Sequence, residues 1–303
     1  MKKFLSMILA AMMLLSLTAC AEAPVMKVAS PAGAPGLALA TLAVQNPENY
    51  TFVAAETISA EFASAQADFI VAPINAGAKL FKMGKSTYQL AAVVSWGNLF
   101  FASQKEGFKV EDMNGAKVVL FGENTINASV VRYALEKNGI VPAEVEYLGS
   151  AANTQALLLS DAEAIVVTAE PALTASKMKN HKITAYAVND LYKTATGFEG
   201  YTQAGLFVKA ETAANQPEAV EAFLKLVEEA CLANAENIPA VAEAAVALEL
   251  LPNVKVATNA IPGCAVKYVN AWDAKEQVEQ TANVDLTQFG GAVPADAFYY
   301  GAK

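Results

Sequence analysis

The sequence predicts an α/β protein of two lobes, with a cleft between them and two crossover segments joining them. Three observations predict it. Short apolar strands alternate with helical stretches in two successive runs, Met26 to Phe101 and Ala116 to Val188. That alternation marks βαβ units and a mainly parallel sheet covered on both faces. Two extended segments, Leu90–Phe101 and Tyr201–Lys209, lie where the chain would leave the first unit and return to it. The expected division is residues 26–100 with 203–303 as a discontinuous first lobe, and 101–202 as the second.

The elements follow from local pattern. Met26–Ala29, Tyr50–Ala54 and Ala67–Ala72 read as strands, and Leu37–Val44, Ile58–Ser64 and Ala76–Met83 as the helices between them. In the second run Ala116–Phe121, Glu144–Leu148, Ala164–Thr168 and Ile183–Val188 are strands. Ser129–Asn138, Asn153–Leu159 and Pro171–Met178 are helices, the first stopped by Gly139. After Lys209 the pattern becomes helical: Glu218–Ala233, Pro239–Leu250 and Pro262–Trp272, each with proline at or near the first turn. Val220, Phe223, Leu224, Val227 and Cys231 form an apolar stripe. These helices are expected to pack back on the first lobe.

At the N-terminus Lys2 and Lys3 precede an apolar run from Phe4 to Leu17. Its ~14 residues make ~21 Å of helix, too short for the ~30 Å of a hydrocarbon core, so residues 1–20 read as a secretory leader. Leu17-Thr18-Ala19-Cys20 resembles the lipobox of bacterial lipoproteins. That resemblance implies acylation (palmitate) of Cys20, with 21–25 as a tether at the outer surface of the cell membrane. A plain leader cut near Ala19 or Ala23 is the alternative.

The chain carries 30 acidic and 21 basic residues, net −9. With Arg132 the sole arginine and no basic stripe, nucleic-acid binding is excluded. Cys231 and Cys264 could pair outside the cytoplasm or remain buried thiols. The single His181 sits among Lys179, Asn180 and Lys182, a solvated loop, so no metal or other cofactor is expected. An exported hydrolase would want a nucleophile beside a base, and no Gly-x-Ser-x-Gly is present. Nothing requires more than a monomer.

Candidate ligand contacts cluster at strand ends, where ligands enter open α/β sheets. Ser30 and Gly33 lie in a turn-rich loop whose N–H groups suit a polar group, or form a plain βα turn. Asn75 follows a strand and either contacts ligand or caps the helix from Ala76. Trp96 and Asn98 lie in the first crossover, where Trp96 stacks on a flat ligand or joins the core. Asn124, Thr125, Asn127 and Ser129 crowd one helix start; one must cap it, leaving others for ligand. Glu170 binds a ligand amine or favours the helix dipole. Tyr201, with Gln203, lies on the return crossover.

Four stretches resemble one family: Ala67-Asp68-Phe69-Ile70-Val71-Ala72-Pro73; Gly122-Glu123-Asn124-Thr125 ahead of Arg132-Tyr133-Ala134-Leu135; Leu159 to Ala164 ending in Glu170-Pro171; and Gly290-Gly291, Pro294 and Phe298-Tyr299-Tyr300. They are similar to the extracytoplasmic substrate-binding proteins of the nitrate/sulfonate/taurine and thiamine-pyrimidine-precursor group. The resemblance implies the type II periplasmic binding protein fold, and a receptor that delivers a small molecule to the permease and ATPase of an ABC importer without chemistry on it. A lipoprotein that presents ligand to a sensor is the alternative. Glu123 occupies the loop where an anion would dock, and Arg132 lies a turn inside its helix. The ligand is therefore expected to be neutral or cationic, such as a flat heterocycle.

Overall fold

The computed structural model describes residues 25–301; the leader and Cys20 lie outside the described residues. The first lobe begins with β1 (Val28–Pro31), a 3-10 turn (Ala34–Ala38), α1 (Ala40–Ala43), β2 (Tyr50–Val53), α2 (Ser59–Ser64), β3 (Phe69–Pro73), α3 (Ile74–Lys82) and β4 (Tyr88–Ser95). β1 runs parallel to both β2 and β3. Phe69–Ala72 are fully buried because side chains alternate between two covered faces. Ile70 and Ala72 join Phe62 and Tyr88, while Phe69 and Val71 pack on the opposite side.

Trp96-Gly97-Asn98 carries the chain into a second sheet. There follow β5 (Leu99–Ser103), β6 (Lys117–Phe121), α4 (Ile126–Lys137), β7 (Glu144–Leu148), α5 (Ala151–Ser160), β8 (Ile165–Ala169), α6 (Ala172–Lys179), β9 (Thr184–Ala187) and α7 (Val188–Thr196). The sheet order is β7-β6-β8-β5-β9, with β6 parallel to β7 and β8. Val118, Leu120 and Val167 pack with Val130, Val131 and Leu135 of α4 on one face. Val119 and Val166 meet Leu158 and Leu173 on the other.

Residues 197–203 return to the first sheet, where β10 (Ala204–Lys209) inserts antiparallel between β3 and β4. Then come α8 (Ala210–Asn215), α9 (Pro217–Glu236), α10 (Ile238–Ala247), α11 (Val254–Ala260), β11 (Val266–Asn270) and α12 (Lys275–Val284). The completed order is β11-β4-β10-β3-β1-β2. The stripe on α9 covers the sheet, with the Phe223 and Phe69 rings 4.5 Å apart.

Ala204 lies opposite both Pro73 and Ser95, and Leu99 lies opposite Ala169. Both crossovers therefore run between the carboxyl ends of the parallel strands of the two sheets. Each carries a glycine where the other touches it. Gly97 has φ 87°, and a Cβ there would enter the Tyr201 ring; a Cβ on Gly200 would collide with the Trp96 carbonyl.

Several expected elements differ. The segment Pro262–Trp272 is not a helix: one 3-10 turn (Ile261–Cys264) ends with Ala265 at φ 50°, and the chain then extends as β11 beside β4. Proline and glycine close that turn, and Val266, Tyr268 and Val269 favour a strand. α4 begins at Ile126 under a Thr125 cap, so Asn127 and Ser129 lie inside the helix. α7, α8, α11 and α12 arise where the sequence pattern predicts no helix. The C-terminal helices do not all return to the first lobe, because α12 also packs on α4 of the second. Gln280 Nε2 donates to the Tyr133 hydroxyl at 3.4 Å, and Tyr192 and Thr281 hydroxyls lie 3.4 Å apart. Cys231 and Cys264 are both buried free thiols.

Candidate ligand-binding site

Ser30 and Gly33 follow β1, Asn75 follows β3, the Gly122–Thr125 loop follows β6, and Glu170 follows β8. Asn98 and Tyr201 lie in the crossovers. The predicted residues are thus distributed around the strand ends that the crossovers connect, and two groups of them touch directly.

The first group is a polar relay through both crossovers. Ser95 Oγ donates to Gln203 Oε1 at 3.1 Å, and Gln203 Nε2 donates to Asn98 Oδ1 at 3.1 Å. Asn98 Nδ2 then donates to the Glu170 carbonyl at 3.1 Å, while the Glu170 N–H donates to the Asn98 carbonyl at 3.1 Å. The second group is a single pair: the Tyr201 hydroxyl, fully buried, donates to Asn127 Oδ1 at 3.0 Å. Burial pushes this phenol well above its ordinary range.

Glu170 is only 7% exposed. Its carboxylate accepts from the Thr174 N–H at 3.1 Å and the Thr174 hydroxyl at 2.9 Å. Among the described residues no cation pairs with it. Burial raises its pKa above the usual carboxyl value; the Thr174 hydrogen bonds and the more distant Lys177 pull the other way. Gly263, from the turn before β11, covers it: a Cβ there would lie 2.9 Å from Glu170 Cγ.

Asn75 is not the helix cap. α3 starts one residue earlier under Pro73, whose side chain makes no cap bond. Asn75 Oδ1 is buried with no hydrogen-bond partner among the described residues, beside the Ile74 N–H that donates to the Gln203 carbonyl at 3.1 Å. Such an acceptor costs stability unless something fills it.

Other predicted residues have structural work. Thr125 caps α4, accepting from the Ala128 N–H at 3.3 Å. Ser129 donates to Asp285 Oδ2 at 2.8 Å and accepts from Arg132 at 3.3 Å. Asn124 is exposed at φ 60°, and its carbonyl accepts from Gln288 at 2.9 Å. Ser30 is buried and donates to the Pro31 carbonyl at 3.1 Å. Gly33, at φ 88°, opens a five-residue 3-10 turn rather than a full helix, so this loop gathers little helix dipole. Trp96 faces the β11 side, its indole N–H donating to the Lys267 carbonyl at 2.8 Å.

Residues missed from sequence are Ser95, Thr174, Gly263, Asp285 and Gln288. Thr174 had a signal, lying four residues after an acid that precedes proline. The last two did not, because the helix before them carries no strong apolar stripe. Among the described residues no group of three His, Cys, Asp or Glu is placed to hold a metal.

The geometry agrees with known proteins. A crystal structure of an ABC transporter protein from Parabacteroides distasonis superposes with a TM-score of 0.79 at 19% identity, over 92% of this chain and all of that one. The periplasmic aliphatic sulphonate binding protein of Escherichia coli gives 0.70 at 15% identity, over 92% of each chain. The zinc-bound ligand-binding component of an ABC-type import system from Staphylococcus aureus gives 0.64 at 11%, over 92% of this chain and 98% of that one. These likenesses establish the two-lobed type II periplasmic binding protein fold. No curated protein matches the sequence. The model of the family described as NMT1/THI5 like matches residues 36–239, two-thirds of the sequence, and the chain belongs to that family.

Proposed function

We propose that this protein is an extracytoplasmic solute-binding receptor, held to the membrane through lipid on Cys20, that captures a small molecule between its lobes and hands it to an ABC permease and its ATPase. The family membership, the fold shared with importer components and the leader sequence support that reading. The protein does no chemistry on its ligand.

The ligand offers N–H donors: a neutral or cationic heterocycle or amine rather than a sulfonate. One observation carries this. Among the described residues Asn75 Oδ1 has no partner and the Glu170 carboxylate has no cation, two open acceptors at the strand ends, while the unpartnered Thr168 and Thr202 hydroxyls nearby can donate or accept. Lobe opening that lifts Gly263 away would uncover Glu170 to such a group. Exposed Glu123 on the opposite loop adds negative charge.

A thermal-shift screen of the chain beginning after Cys20 tests both parts. A ligand at ~100 times its dissociation constant adds about 2.7 kcal/mol, a readily measured rise in the unfolding midpoint. Shifts with amines or N–H heterocycles are expected. Shifts with sulfonates alone would refute the ligand class, and silence across vitamins, precursors, amines and amino acids would count against the receptor.

A further inference from the structure

A cavity of about 300 Å³ lies behind the crossovers, on the β11 side. β11 and the β1–β2 pair occupy opposite edges of the six-stranded sheet. The cavity is therefore separate from the strand ends that bear Ser30, Gly33 and Asn75. Its walls come from four parts of the molecule: Trp96 of the first crossover, Glu199 and Gly200 of the return crossover, Lys267 and Val269 of β11, and Gln277 of α12.

The chemistry of these walls is specific. The Trp96 N–H is committed to the Lys267 carbonyl, which fixes the indole in the cavity wall. Val269, packed on the same side of the sheet as Trp96, supplies an aliphatic wall. Glu199 is already paired with Lys193 at 2.7 Å, whereas the exposed Lys267 has no ion pair among the described residues. The uncompensated charge at the cavity is thus positive, and the Gln277 amide adds a donor and an acceptor. The volume stands at the lower end of the ~300–1,000 Å³ found for small-molecule sites.

We propose that this cavity is a second small-molecule site, taking a flat aromatic or heteroaromatic monocarboxylate whose ring lies on Trp96 and whose acid group meets Lys267. The site goes beyond the cleft receptor and stands whether or not that reading holds. One occupant touches both crossovers and the first lobe, so it braces the hinge. Any effect it has on cleft affinity is reciprocal.

The sequence has two tryptophans, so Trp272→Phe leaves Trp96 as the single tryptophan, excited selectively over the tyrosines at the red edge. Titrating that variant of the mature chain with nicotinate should change Trp96 emission saturably. Adding Lys267→Glu, an exposed charge reversal, should weaken binding roughly fivefold. Adding Gln277→Phe, which fills the cavity from a surface helix, should abolish it with the unfolding midpoint retained. No saturable change in a folded single-tryptophan protein overturns the site. A titration unmoved by Gln277→Phe places the probe elsewhere and also overturns it, and one unmoved by Lys267→Glu overturns the carboxylate assignment.

Discussion

Asn98 and Glu170 hold each other through two reciprocal hydrogen bonds, each 3.1 Å. The Glu170 N–H donates to the Asn98 carbonyl and the Asn98 amide donates to the Glu170 carbonyl. Asn98 also accepts from Gln203 of the other crossover, so one amide joins both linking segments to the end of β8. Asn98→Ala strands the Gln203 amide and the Glu170 carbonyl in a buried place. It should cost roughly 2 kcal/mol in urea unfolding. A loss within error would show that water replaces the amide and that the relay holds nothing.

Glu170 makes stability depend on pH in a definite direction. Its folded pKa is raised above the ordinary 4.5, chiefly by burial. The folded state therefore binds the proton more tightly than the unfolded chain. The stability contributed by this proton is fully present below the unfolded pKa and is lost as pH rises through the folded value. Glu170→Gln imitates the neutral acid. It should match the wild type near about pH 4.5 and be the more stable protein at neutral pH, while binding a cationic ligand less well. Urea midpoints of both proteins at the two pH values check this; a difference independent of pH would refute it.

The crossovers pack glycine to neighbour on both sides, and that contact sets how closely they run. Gly97→Ala asks for a β-carbon at φ 87° inside the Tyr201 ring. A destabilisation of at least ~2 kcal/mol is expected. It should exceed that of Tyr201→Phe, which removes one hydroxyl from Asn127 and should cost about 1 kcal/mol. The reverse ranking in denaturant melts would mean that the crossovers separate easily.

Burial pushes the Cys231 thiol up to about 12 and Cys264 higher still, with nearby Glu228 and Glu170 adding to the respective shifts. Neither forms much thiolate at neutral pH. Thiol reagents should label neither in the native mature protein and both in urea. Native labelling faster than global unfolding would reveal local opening at α9 or at the turn before β11.

The parts legible from sequence are those where one signal acts alone. The run Phe69–Ala72 is apolar on both faces and became a buried strand; the α9 stripe became a helix; Trp96-Gly97-Asn98 became the outgoing crossover. The rest failed where signals compete. Pro262 resembles a helix opening, but Gly263 and the left-handed Ala265 stop the turn and leave β11. α12 offers only Val278, Thr281 and Ala282 to the core, too little to announce a helix. Its contacts with α4 were hidden in consequence. Asn127 and Ser129 look like caps in a line of letters. With Thr125 taking that task, their side chains turn instead to Tyr201 and Asp285, partners 74 and 156 residues away.

At Asn75 a ligand-binding role and a framework role predict opposite outcomes. Its Oδ1 is buried without a partner among the described residues, so the folded protein gains nothing from it until a donor arrives. Asn75→Ala removes an unsatisfied acceptor from the first turn of α3, where alanine is a good helix former. The ligand-free protein should be as stable as the wild type or up to ~1 kcal/mol more so, while the stabilisation produced by an N–H-bearing ligand shrinks. Thermal melts of both proteins, with and without the compound found in the screen, give the two numbers together. If the variant is less stable without ligand and binds unchanged, Asn75 belongs to the framework and the donor-bearing ligand loses its main support.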